Sequence, residues 1–150
     1  MKKNYIWIVA AVAAVGYFIY RKTTFAKNLV FRLSDVKPSG TLKDPKIIIS
    51  VNVSNPSNQK ATIKAVAGTL YLDDKEISVI NTTTTQIIEP QTDSTLRIEA
   101  KPQIFGIIKL LQEVYSKAKR KKIKPNFRFE GNINVNGVLL PINESYNLSL

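Results

Sequence analysis

The chain of 150 residues contains no cysteine and no histidine. Without cysteine there is no disulfide framework, no thiolate metal site and no cysteine nucleophile. Without histidine the commonest general base and the commonest metal ligand are missing, and a Ser-His-Asp triad is excluded. The six glycines are scattered and form no phosphate-cradling loop. Acidic residues are missing from two segments. Residues 1–32 carry Lys2, Lys3, Arg21, Lys22, Lys27 and Arg32 with no acid, and residues 117–124 carry Lys117, Lys119, Arg120, Lys121, Lys122 and Lys124 with no acid. Twelve of the 22 basic residues lie in these segments, which leaves ten against eleven acids elsewhere. The net charge of +11 therefore belongs to two local features and not to the body of the protein.

Little chemistry-bearing material remains. The carboxylate pairs are Asp73-Asp74 and Glu89/Asp93. Glycoside hydrolysis needs two acids facing each other across a cleft, whereas Asp73-Asp74-Lys75 between two apolar runs reads as a solvated turn. A calcium loop would need more oxygen ligands at loop spacing. The threonine run in "NTTTTQ" (81–86) suits an edge strand. No catalytic residue, cofactor site or metal site is expected, and an enzyme is the least favoured class.

What is present begins with sixteen uncharged residues, "YIWIVAAVAAVGYFIY" (5–20). As a helix they span roughly 24 Å at about 1.5 Å per residue, slightly short of a hydrocarbon core of about 30 Å. Tyr5, Trp7, Tyr17 and Tyr20 lie near its two ends, where aromatic belts form, and Lys2, Lys3, Arg21 and Lys22 can snorkel to headgroups. The reading is a membrane anchor over residues 1–22, a polar linker over 23–28 and a domain over 29–150. A signal peptide cut near Ala11-Val12-Ala13 would leave the apolar Tyr17, Phe18 and Ile19 behind. A helix packed within a protein assembly is the other alternative. Lysine and arginine counts on the two flanks are nearly balanced and lean towards a cytoplasmic domain.

After the anchor the period is two. "IIISVNVSN" (47–55) alternates Ile47, Ile49, Val51 and Val53 with Ile48, Ser50, Asn52 and Ser54, a strand with one buried face. It stops at Asn55-Pro56, where the proline has no N–H for the ladder and forces the asparagine into an extended conformation. Further strands are expected at 29–40, 60–74, 76–85 and 92–101. The 60–74 segment changes phase between Ile63 and Val66, which predicts a bulge near Ala67-Gly68. In residues 102–120, Ile104, Ile107, Ile108, Leu111, Tyr115 and Ala118 recur at three and four, the apolar face of a helix with Pro102 in its first turn. "NFRFEGNINV" and "VLLPINESYNLSL" form a hairpin around Asn136-Gly137, a strong type I′ signal, and Pro141 argues for an edge strand. The fold class is mainly β: an immunoglobulin- or fibronectin-like β-sandwich of about seven strands with one inserted amphipathic helix, preceded by an N-terminal hydrophobic helix.

In its order the pattern resembles the late embryogenesis abundant (LEA) type 2 family, the water-stress and hypersensitive-response domain. The resemblance covers Leu29 to Leu148. It rests on Asn55-Pro56, on Leu70-Tyr71 before Asp73-Asp74, and on Gly131 followed by Asn136-Gly137 and Pro141. It implies a sandwich with one helix, an N-terminal apolar segment in many members, a protective theme and no catalytic residues. The lysine-rich segment 117–124 departs from a typical stand-alone member. It suits the solvated end of a helix, an anionic membrane, or contact with a nucleic acid or an acidic protein partner. Only Tyr115 and Phe127 flank it, which disfavours sequence-specific nucleic-acid binding. The functional expectation is a membrane-anchored, non-enzymatic interaction or protective module at a bacterial-type cell envelope. The alternative is a structural component of a larger assembly such as a bacteriophage virion, a head or tail accessory protein with its N-terminal helix packed against partner subunits.

Overall fold

The computed structural model describes residues 3–103, 107–120 and 123–148, with side chains of the first helix described for residues 11–21 and 24–27. The elements are α1 (Lys3–Lys27), β1 (Val30–Gly40), β2 (Pro45–Asn55), β3 (Ala61–Leu72), β4 (Lys75–Ile88), β5 (Thr92–Ala100), α2 (Ile107–Lys119), β6 (Asn126–Val135) and β7 (Val138–Asn147). The strands form two antiparallel sheets, in the orders β1-β2-β5 and β4-β3-β6-β7.

The alternation in β2 decides its orientation. Ile47, Ile49, Val51 and Val53 are fully buried, while Ile48, Ser50 and Ser54 are half-buried and Asn52 is exposed. From the other sheet Phe127, Phe129, Ile133 and Val135 of β6 join the same core. Burying each such side chain contributes about 1.5–3 kcal/mol, so slipping either strand by one residue would turn its whole apolar set outward. Two-residue turns join β3 to β4 and β6 to β7. Asp73 and Asp74 have φ of 47° and 64°, and Asn136 and Gly137 have 51° and 86°, the left-handed pair a type I′ hairpin needs. Pro141 lies opposite Asn132 in β7, an edge strand, where its missing N–H costs no interior ladder bond.

Three local expectations are corrected. The phase change in β3 is real, but the irregularity lies at Lys64, between Ile63 and Ala65, with a second between Leu70 and Tyr71 where β3 meets β4. The extra residue at Lys64 moves burial from Ile63 to Val66. Gly68 instead faces Gly131, an approach so close that a Cβ on Gly68 would lie 2.9 Å from the Gly131 Cα. Secondly, Pro102 is not in the helix. The Gln103 N–H donates to the Ile77 carbonyl at 3.2 Å and the Ser78 hydroxyl donates to the Lys101 carbonyl at 2.8 Å, which hold this segment along β4. In α2 the buried residues are Ile107, Ile108, Leu111, Val114 and Ala118, and Ile104 lies outside the described residues. Thirdly, the segment read as a linker is helical through Lys27, and Phe25 and Ala26 are buried there. Burial of Phe25, Ala26 and Leu29 in the common core makes the last turn of α1 part of the body.

Candidate functional site

Helix α1 changes character along its length. Val12, Val15, Tyr17, Phe18, Ile19 and Tyr20 are each more than half exposed, and they occupy all sides of the helix. Tyr17 also lies under the Arg21 guanidinium, at 5.6 Å from the ring centroid. Tyr5 and Trp7 fall on the backbone of α1, but their side chains lie outside the described residues. Among the described residues no helix is long and apolar enough to cross a membrane. Where α1 meets the body, a groove of about 310 Å³ is lined by Ala26, Leu29, Phe31, Val138, Leu139 and Pro141, and Leu139 is 66% exposed.

The root of α1 and the basic segment lie at opposite ends of the two sheets. At the root end β1 starts with Val30 opposite Ser54, next to the last residue of β2, and the Asn136 N–H donates to the Thr62 carbonyl. At the far end Asn126 pairs with Asn147, the Asp73 N–H donates to the Asn126 carbonyl at 2.9 Å, and the Leu148 N–H donates to the Pro125 carbonyl at 3.0 Å. Pro125 and the start of β6 are tied in at that far end. Strand β6 runs between the two ends, and ten residues at about 3.3 Å each separate them by roughly 30 Å. Lys117, Lys119, Arg120 and Lys124 are exposed, while Lys121 and Lys122 lie outside the described residues.

Between β1 and α2 at the far end is a cleft of about 420 Å³, lined by Lys37, Pro38, Gln112, Tyr115, Ser116 and Lys119. Its α2 members sit at 112, 115, 116 and 119, the spacing of one helix face. The Tyr115 hydroxyl donates to Asp35 Oδ1 at 3.4 Å, and the Lys37 ammonium pairs with Asp35 Oδ2 at 2.7 Å. Burial, and then the Asp35 charge, push the Tyr115 phenol well above its usual pKa. Tyr146 is raised for the same reasons in the same order, with Lys37 opposing. Lys37 is raised by its hydrogen bond and charge contact with Asp35. Tyr115 and Asp35 thus form a small polar cluster under the cleft. Sequence reasoning placed Tyr115 on the apolar face of the helix but had no signal for its partner 80 residues away.

The acidic residues weighed as chemistry take structural places. Asp73 Oδ1 accepts the Asn126 N–H at 3.0 Å, and Asp74 pairs with Arg128 at 3.3 Å. Arg128 also pairs with Glu130 and stacks 4.3 Å from the Tyr71 ring centroid. Glu89 pairs with Lys60 at 3.2 Å. Among the described residues no three Asp or Glu side chains gather to hold a metal ion. A further concavity of about 500 Å³ is an open one on the outer face of the β1-β2-β5 sheet, lined by Val30, Arg32, Asn52, Ser54, Asp93 and Thr95.

No known family matches the chain by sequence, and no curated protein does. Solved structures do. A solution structure of an Arabidopsis thaliana protein matches with a TM-score of 0.57 at 16% identity, covering 80% of each chain. A protein described as a candidate LEA protein matches with a TM-score of 0.48 at 15% identity, covering 99% of this chain and 86% of the other. A crystal structure of an Archaeoglobus fulgidus protein matches with a TM-score of 0.48 at 10% identity, covering 79% and 97%. At such identities the likeness concerns the fold alone, and only the first of these matches is close enough to argue from.

Proposed function

We propose that the protein is a non-enzymatic β-sandwich module of the LEA type 2 kind, held at a membrane of a cell envelope through α1 and acting by non-covalent contact. The observation that carries the reading is the contrast within α1. Residues 12–20 present apolar side chains to solvent on every side, while Phe25, Ala26 and Leu29 are rooted in the core. A helix apolar all round is suited to burial in lipid or protein, and the root holds it at a fixed place on the body. The apolar run begins at Tyr5, ahead of the first α1 side chain described. Support for the immunoglobulin- or fibronectin-like label is the strand order: β1-β2-β5 against β4-β3-β6-β7, with the chain changing sheets after β2, β4 and β5.

A second reading has an observation in its favour. No helix among the described residues is long and apolar enough to span a bilayer, and a helix embedded in partner subunits of an assembly, such as a virion, needs no span. Flotation separates the two. The full chain should rise with phosphatidylcholine vesicles, and Val12→Glu with Phe18→Glu should abolish this without unfolding the body. If the full chain stays at the bottom of the gradient, the membrane reading is wrong and the assembly reading takes its place.

A further inference from the structure

We propose that the end of the body remote from α1 is a docking surface for an acidic segment of another protein, seated in the cleft between β1 and α2. Three observations converge there. Gln112, Tyr115, Ser116 and Lys119 line the cleft from a single face of α2, and Lys37 and Pro38 line it from β1. Gln112 and Ser116 can donate to a carboxylate, and Lys119 supplies charge. The Asp35 carboxylate beneath is engaged by Lys37 and by the Tyr115 hydroxyl, which reduces its repulsion of an acidic ligand and fixes the tyrosine ring. Beyond the cleft, Lys117, Arg120 and Lys124 are exposed. Among the described residues no acid pairs with any of them or with Lys119.

Position excludes one source of anions. The far end stands roughly 30 Å from the root of α1, as judged from a strand rise of about 3.3 Å per residue. Charge attraction in physiological salt decays over about 8 Å. The cations therefore do not bind the headgroups of the bilayer that holds α1. This exclusion depends on the membrane reading of α1, whereas the surface itself does not. The ligand class follows from shape and from the shortage of stacking groups. Non-specific nucleic-acid grooves interleave cations with accessible aromatic rings. The single aromatic in the cleft is half-buried, with its hydroxyl held by Asp35. A cleft of about 420 Å³ walled by Pro38 and Tyr115 instead takes a few side chains of an extended chain, its carboxylates reaching the cations at the rim.

The test uses the full chain in neutral detergent, so that it does not depend on what α1 inserts into. Fluorescence anisotropy would follow a labelled peptide of alternating glutamate and leucine, with a duplex oligonucleotide as competitor. We expect peptide binding that weakens with salt. Substituting Lys117, Lys119, Arg120 and Lys124 by Gln should weaken it about tenfold or more, the sum expected of several exposed ion pairs. Gln112→Glu with Ser116→Glu should weaken it further, since both positions are exposed and tolerate a charge. Lys27, Arg32 and Lys64, exposed at or towards the root end, provide a control when changed to Gln, and this variant should bind as the parent does. Circular dichroism checks that each variant is folded. Absence of peptide binding, equal loss in the control variant, indifference to the cleft substitutions, or stronger binding of the duplex than of the peptide would each overturn the proposal.

Discussion

The Asn55 side-chain amide donates to the Glu89 backbone carbonyl at 3.1 Å, which ties the end of β2 to the turn before β5. The same NH₂ group lies 2.7 Å from the Gln59 carbonyl and 3.3 Å from that of Ile88, while the side-chain Oδ1 of Asn55 accepts from the Ser57 N–H and hydroxyl. Asn55 is fully buried, so these bonds replace water entirely. Asn55→Ala removes a partner from the Ile88 carbonyl, at a buried residue, and from the Gln59 and Glu89 carbonyls and the Ser57 N–H at more open ones, and a buried group left unpaired costs about 1–3 kcal/mol. The expected loss is at least that of one such group, read from the urea midpoint. Replacement by Ser should recover little, because the hydroxyl is too short to reach across to Glu89. A neutral Asn55→Ala would show that solvent enters this turn freely.

Ile49→Asp or Val51→Asp should prevent folding. Both side chains are fully buried, and an unpaired buried carboxylate costs several kcal/mol. Ser50→Asp, at a half-buried position, and Asn52→Asp, at an exposed one, should be milder. Circular dichroism of the four variants decides it, and equal damage on both parities would contradict the orientation of β2.

Gly131→Ala should be destabilising beyond any effect on conformational freedom. Its added Cβ would stand 2.5 Å from the Gly68 Cα and closer still to the Ala67 carbonyl oxygen, both backbone atoms that move only with the sheet. Overpacking of this kind typically costs about 1–3 kcal/mol. Gly137→Ala is the contrasting case: nothing lies near its Cβ, so only the strain of φ +86° remains. Chemical denaturation should rank Gly131→Ala as the worse of the two.

Deleting residues 1–22 should leave a folded body, because the described part of the core begins at Phe25. Phe25→Ala in the full chain should cost about 3 kcal/mol, at the lower end for a buried phenylalanine because it sits at the margin of the core. Cooperative thermal melts of the truncated and substituted chains check both. A truncated chain without a cooperative melt would mean that the body needs more of α1 than its last turn.

Stability should fall in alkaline solution. The Tyr115 phenol has a folded pKa raised above its ordinary value of 10.0 by burial and by Asp35. A raised folded pKa contributes stability that is fully present below the unfolded pKa and is lost as pH rises through the folded one. The denaturation midpoint should therefore decline from about pH 10 upward. In Tyr115→Phe the decline should be shallower, with Tyr146 and Lys37 providing what remains. An unchanged slope in that variant would remove Tyr115 as the cause.

Strand parity, hairpin turns and the edge position of Pro141 were legible in the sequence because each is set by neighbours within a few residues. Alternation fixes which side chains of β2 face inward. Asn136-Gly137 supplies two left-handed residues in a row, and a proline without an N–H avoids the interior of a sheet. Other features could not be read this way. Phe25 and Ala26 read as part of a linker, since nothing local says that a core lies within reach. The bulge fell at Lys64 and not at Gly68, because the registers of both neighbouring strands place it. The Glu89 partner of Asn55 and the Asp35 partner of Tyr115 lie 34 and 80 residues away.

The two charged and apolar surface features show the same division. The sequence alone determined that residues 5–20 are apolar and that 117–124 are cationic, since composition is local. It had no bearing on where they stand relative to each other, and a single anionic membrane could have been contacted by both. The tertiary structure decided that they occupy opposite ends. The reason is the path of the chain: α1 enters beside the start of β1, whereas α2 is inserted between the end of β5 and the start of β6, which antiparallel pairing puts at the other end of the sheets.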